Sequence, residues 1–353
     1  MYSLFIAVLG IIDETSVLTL RIEIDERTIV VELNELLKKL QERTSAKFEK
    51  MPSVVLKDGA FNVTKLPVDK PEWHRITDLV AVMFDLKSST NLEKGRKPAS
   101  TASIYDAGVG GVVHIFNYFD ADFVDIQGDG GFGLFWGERR YERALCAAIS
   151  IHTFSDDFES QLEAKWSKAP STGFKVGIAS GPVLAKRVGL SKHLDMQEPV
   201  WAGRPVNYAA KAAQQTEPGK TLVTGSVWDA VSNNDYIAFS CGCAEGVEGG
   251  VPSLLWEERI LVNIPDAEKY GQVLKSGWCV NHGEEYCNAI LNGDTYRAEI
   301  DETSRSQLTL FASGSEGVKM KARKERRAER MILESEVLAM RGNRRSTFNK
   351  LDR

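Results

Sequence analysis

The chain has 353 residues, 43% of them hydrophobic, with 44 Lys or Arg against 49 Asp or Glu. That length exceeds one small domain and suits two with a tail. The apolar share is enough for a core, and the net charge of −5 argues against wholesale or obligatory nucleic-acid binding.

Residues 1–12 are apolar but lack a basic leader, and Asp13 and Glu14 end the run before it could span a bilayer. A buried strand is expected there. Nothing later reaches membrane length, so a cytoplasmic setting without a membrane partner is expected, and with it no disulfide framework. Leu20, Ile22 and Ile24, then Ile29 and Val31, alternate as two strands joined around residues 25–28. Asn34 is placed to cap an amphipathic helix with Leu36, Leu37 and Leu40 on one face. Residues 66–73, with Pro67 and Pro71, read as a connector, which makes residues 1–72 an accessory segment.

Residues 79–84 are continuously apolar and predict a buried central strand ending at Asp85. A helix is expected over about 101–118. Two strands, 123–127 and 131–136, then flank Gly128, Asp129 and Gly130 as a tight hairpin. A helix over about 142–158, a strand over 173–179, an irregular arm, a helix over 205–215 and a strand over 221–224 follow. The order βαββαβ is the ferredoxin-like plan, an α+β fold, with the core expected over residues 73–236 and small accessory domains at both ends. Strand and turn signals continue around 254–264, within a further domain at 237–316. The tail at 317–353 carries twelve Lys or Arg against five Asp or Glu. A solvated, partly frayed helix is the plainer reading of it, ahead of a site for an anionic partner.

This pattern sets Asp85 at the end of a buried strand and Asp129 at the tip of the adjoining hairpin, both at one edge of the sheet. Carboxylates brought together repel unless a cation lies between them, and hard oxygen ligands favour Mg²⁺ or Mn²⁺. Two such ions, about 4 Å apart, activate a hydroxyl and stabilise a leaving phosphate together. Either aspartate alone also has ordinary backbone reasons for its place. Lys87, Ser88, Ser89 and Thr90 add to the pair, being small or basic residues suited to wrapping N–H groups around a triphosphate. Asn207 and Lys211 stand four apart on a helix and share a face.

Of the five cysteines, Cys146 sits alone in a helical pattern as a buried small hydrophobe. Cys241, Cys243, Cys279, His282 and Cys287 cluster late, and thiolate and imidazole ligands suit a structural, tetrahedral Zn²⁺. Their spacing departs from paired C-x-x-C knuckles, which favours free thiols in an irregular subdomain over zinc.

Four ordered blocks carry a family resemblance: Phe84-Asp85-Leu86-Lys87-Ser88-Ser89-Thr90, Gly128-Asp129, Val176-Gly177-Ile178-Ala179-Ser180-Gly181-Pro182-Val183, and Gly203-Arg204-Pro205-Val206-Asn207-Tyr208-Ala209-Ala210-Lys211. Over residues 78–231 the chain resembles the class III adenylyl/guanylyl cyclases. The resemblance implies a homodimer with composite sites that cyclise a nucleoside triphosphate. Asp85, Leu86 and Asp129 would hold two divalent metals per site, opposite Asn207 and Lys211 of the partner, which orient the ribose and neutralise the α-phosphate. The family usually has Arg where Lys211 stands; Lys keeps the charge and loses the bidentate fork. Lys175 and Arg187 are further candidates for phosphate contact, behind those above.

Aligned on Gly128 and Gly203, Asp125 and Val200 occupy the base-selecting places and match neither the adenylyl nor the guanylyl pair. An acceptor at Asp125 suits guanine, cytosine or uracil and disfavours adenine. The departures and flanking segments resemble the bacterial anti-phage pyrimidine cyclases of the Pycsar systems. That implies UTP as substrate ahead of CTP and then GTP, a cyclic nucleotide product acting on a separate effector, and a sensor-like domain after the core. A non-catalytic nucleotide sensor of the same fold is the rival reading, against which stand both metal carboxylates and Asn207.

Overall fold

The computed structural model describes residues 32–92, 94–166, 170–243, 247–266 and 268–310, with 324, 327, 328 and 331. The strands expected over 1–12 and 19–33 lie outside the described residues but for the last two positions, and so does nearly all of the basic tail. The chain forms two compact units, Met1–Met51 and Pro52–Arg353. In the first, α1 (Leu33–Glu49) is the amphipathic helix, but Glu32 takes the N-cap position without a side-chain bond. Asn34 therefore lies inside the first turn and is not the cap.

The second unit opens with β1 (Ser53–Leu56), parallel to β2 (Glu72–Leu86). The central strand is thus longer than residues 79–84. Its first half pairs with β1, and a bulge between Ile76 and Leu79 connects it to the continuous apolar half. After α2 (Ser89–Leu92) comes α3 (Pro98–Tyr118), whose Pro98 suits a first turn because its missing N–H is not needed there. β3 (Phe123–Gln127) and β4 (Gly130–Phe135) form the expected hairpin, with Gly128 at φ 67° in the turn. α4 (Arg140–Lys165) follows, then β5 (Phe174–Gly189), β6 (Gln197–Gly203), α5 (Arg204–Gln214) and β7 (Lys220–Val223). The irregular arm is instead a two-stranded ribbon. β5 runs on for sixteen residues and its far half pairs with β6, supplying the partner the sequence alone did not reveal.

Next come α6 (Gly225–Val231), α7 (Asp235–Ala238), β8 (Trp256–Ile260), β9 (Tyr270–Leu274), α8 (Gly283–Asn292) and α9 (Glu302–Leu310). The strands make one sheet in the order β3-β4-β2-β5-β7-β9-β8, with β1 on β2 and β6 on β5. Within it β2-α3-β3-β4-α4-β5 is the βαββαβ unit, with neighbours β3, β4, β2 and β5 all antiparallel, as the ferredoxin-like plan requires. β8 and β9 extend this same sheet through β7.

Strand alternation divides the core. Val80, Val82, Phe84 and Leu86 face α3 and α4, where Phe84, Phe116, Phe135 and Phe174 are fully buried and contribute about 1.5–3 kcal/mol each. Leu79 and Ala81 face the other way, with Phe132 and Ala179, where they pack with Ala209 of α5. Asp85 follows the second set, so its side chain leaves the sheet on the α5 face. Among the described residues no helix is long and apolar enough to cross a membrane.

Candidate active site

The hairpin folds Asp129 back onto the end of β2. Leu86 N–H donates to the Asp129 carbonyl oxygen at 3.2 Å, and Asp85 is in register with Gly130 on one side and Lys175 on the other. Directly opposite residues share a face. Lys175 therefore stands beside Asp85, and the turn that carries Asp129 borders Asp85 on the opposite side. Partial desolvation first and the charge of Asp129 second hold the exposed Asp85 carboxyl above its ordinary range, against the pull of Lys175. This is the electrostatic strain that a cation relieves. The donor set is all oxygen, because the buried Leu86 side chain has nothing to offer and only its backbone carbonyl qualifies. Such donors fit Mg²⁺ or Mn²⁺.

Lys87 to Thr90 lie next along the chain. Lys87 is held through both backbone groups, its N–H donating to Gly173 O at 3.1 Å and its carbonyl accepting from Thr172 Oγ1 at 2.6 Å. Ser88, at φ 62°, turns the chain into α2, whose first residues are the buried Ser89 and the exposed Thr90. Thr172 was not legible as a site residue, since it contacts a position 85 residues away.

Asp125 lies on β3 opposite Phe132, on the α5 face, and accepts a bond from Gln127 Nε2 at 3.3 Å. Val200 is exposed on β6, but its neighbour Trp201 packs on Phe123 with ring centroids 5.0 Å apart, drawing the arm toward the Asp125 strand. Arg187 is not gathered beside Asp85. It stands roughly 40 Å of extended strand beyond Lys175, at about 3.3 Å per residue, and donates to Gln197 O at 3.3 Å.

α5 sits on the sheet above Gly177, where an added Cβ would collide with the Ala209 carbonyl oxygen and the Ala213 nitrogen. Only glycine permits that approach. Asn207 is exposed and donates to Gly203 O at 3.1 Å, one turn back. Lys211 Nζ donates to Asn263 O at 2.7 Å, and Gln215 exchanges bonds with Val262 just before it. The helix carrying both residues is thereby tied to the segment after β8, a contact over 52 residues that no local pattern signals.

The late cysteines divide. Cys241, Cys243, Cys279 and His282 place ligand atoms within 4.8 Å of one another, whereas Cys287 on α8 shares a hydrogen bond with Cys146 on α4. Cys146 is fully buried, as expected.

No family model matches the chain. It is 45% identical over 300 residues to a uridylate cyclase of Micromonospora echinofusca, covering 84% of this chain and 96% of that protein. A uridylate cyclase of Propioniciclava tarda is 43% identical over 290 residues, covering 82% and 90%. Among solved structures the chain is similar to the adenylyl cyclase CyaB from P. aeruginosa, at 15% identity, 59% and 99% coverage and a TM-score of 0.46. It is also similar to the guanylate cyclase domain of RhGC from Catenaria anguillulae, at 13% identity, 57% and 98% coverage and a TM-score of 0.44. With nearly the full length of two such relatives matched at this identity, the chain belongs to the uridylate cyclase family.

Proposed function

We propose that this chain converts UTP to 3′,5′-cyclic UMP and pyrophosphate, as a homodimer with two composite sites. The observation that carries the reading is the apposition of Asp85 and Asp129 beside Lys175, in a chain of this family. The ribose 3′-oxygen attacks the α-phosphorus in line, the bond to the β-phosphate oxygen breaks, pyrophosphate takes the electron pair, and the hydroxyl proton goes to water. Two Mg²⁺ or Mn²⁺ ions held by Asp85, the Leu86 carbonyl and Asp129 would supply the Lewis acidity for the hydroxyl and the leaving group. The protein's part is positioning and charge: Lys175 and residues 87–90 hold phosphates, while Asn207 and Lys211 enter from the partner. Asp125 accepts the uracil N3–H, and Val200 gives the base an apolar neighbour. We assign catalysis to residues 73–236, with 1–72, 237–316 and 317–353 as accessory segments. The cyclic nucleotide then acts on a separate effector, as a second messenger in anti-phage defence.

Complementation tests the composite site. Asp85→Ala and Asn207→Ala chains should each make no cyclic UMP from UTP and Mn²⁺, while mixing them restores up to about a quarter of wild-type turnover through heterodimers with one intact site. Mixing that restores nothing, with both variants folded and dimeric, sinks the two-chain site.

A further inference from the structure

We propose that Cys241, Cys243, Cys279 and His282 form a structural zinc site outside the catalytic centre. Geometry carries this. Tetrahedral zinc with bonds of about 2.3 Å to sulfur and about 2.0 Å to nitrogen sets sulfur–nitrogen edges of about 3.5 Å. His282 Nδ1 lies 3.4 Å from Cys243 Sγ and 3.8 Å from Cys279 Sγ, with Cys241 completing the group. In extended chain, residues two apart point the same way but stand too far apart to share one ion. Gly242 between the two cysteines has φ 83° and packs against the Gly250 backbone, which folds both thiols onto one point. A side chain there would meet that backbone.

The other half-site is equally fixed. Cys279 O accepts from Gly283 N–H at 2.7 Å and His282 O from Tyr286 N–H at 2.9 Å, which seats Cys279 and His282 at the start of α8. The His282 ring rests on Tyr286 with centroids 5.8 Å apart. Trp278, next to Cys279, donates to Thr153 Oγ1 at 2.8 Å and to Ser150 Oγ at 2.9 Å on α4. Three thiolates and an imidazole leave no open position, so the ion staples the 241–243 loop to α8 and α4 and does no chemistry. Each thiol that binds releases its proton to water. Soft sulfur ligands separate this site from the all-oxygen catalytic one.

The full-length chain, purified without chelator, should carry one zinc per molecule by elemental analysis. Co²⁺ in its place should show the sulfur-to-cobalt charge-transfer band and intense visible absorption of a tetrahedral thiolate site, which carboxylate-bound cobalt lacks. Cys279→Ser and His282→Ala should lower occupancy and alter the band, while Cys287→Ser leaves both unchanged. Zinc-free wild type that also develops no charge-transfer band with Co²⁺ overturns the site. So does full zinc content in both Cys241→Ser and Cys279→Ser, or loss of zinc in a folded Cys287→Ser chain. The first measurement is made on wild type, so its outcome holds even where a variant fails to fold.

Discussion

Gly177→Ala probes how closely the helix bearing Asn207 and Lys211 is seated. The new methyl would stand 3.0 Å from Ala212 Cβ and collide with the Ala209 carbonyl oxygen and the Ala213 nitrogen. Those are helix backbone atoms that no rotamer change can move. Restoring an ordinary separation of about 3.5 Å requires α5 to withdraw by roughly 1 Å. Overpacking of this kind costs about 1–3 kcal/mol, which lowers the thermal midpoint by roughly 2–12 °C at about 2–4 °C per kcal/mol. A displacement of about 1 Å at a positioning helix costs turnover roughly 100-fold. Scanning calorimetry and cyclic UMP formation read the two effects separately. A Gly177→Ala protein with wild-type midpoint and wild-type turnover would refute the seating of α5.

Gly110→Ala is the control: its Cβ would enter open space on α3, with nothing nearer than Asp106 Oδ1 at 3.9 Å, so calorimetry should show a gain of about 0.5–1 kcal/mol. Asp85→Asn and Asp129→Asn should each cut turnover by roughly 100–1000-fold, while the midpoint without added metal does not fall, because a carboxylate repulsion is removed. His152, buried on α4, is held down to about 4, by burial first and the Lys220 charge second. The unfolded chain takes that proton near pH 6.5, so the stability is complete above about 6.5 and lost as pH falls toward 4, about 3 kcal/mol at roughly 1.4 kcal/mol per unit. Urea midpoints from pH 7 to 4 should show this loss in wild type and not in His152→Gln. Asp235, 4% exposed, accepts from the Arg297 backbone N–H and the Arg305 guanidinium, and Asp235→Ala should cost about 1–3 kcal/mol in the same assay by leaving those donors without this acceptor.

What was legible in the sequence was local. The apolar run before Asp85, the Gly128-Asp129 turn and the βαββαβ order are short-range patterns, and they brought the two carboxylates to one place. Strand lengths were not legible, because β2 and β5 extend only where β1 and β6 lie alongside, and cross-strand pairing leaves no periodic trace in either partner. Lys211 illustrates the limit for the site: spacing put it on a face with Asn207, but its bond to Asn263 O depends on the docking of the 261–263 segment. The cysteines do so as well. Spacing showed a C-x-C and a C-x-x-H pair, and only the packing of α8 on α4 decides that Cys287 turns to Cys146 and leaves His282 with three thiols.

The most direct measurement presents the full-length chain with ATP, CTP, GTP and UTP together in Mn²⁺ and identifies the cyclic products by mass spectrometry. The expected result is cyclic UMP in excess over any other, abolished by Asp129→Ala. A different dominant product would contradict the base assignment, and no cyclic product, or undiminished turnover in Asp129→Ala, would contradict the catalytic one.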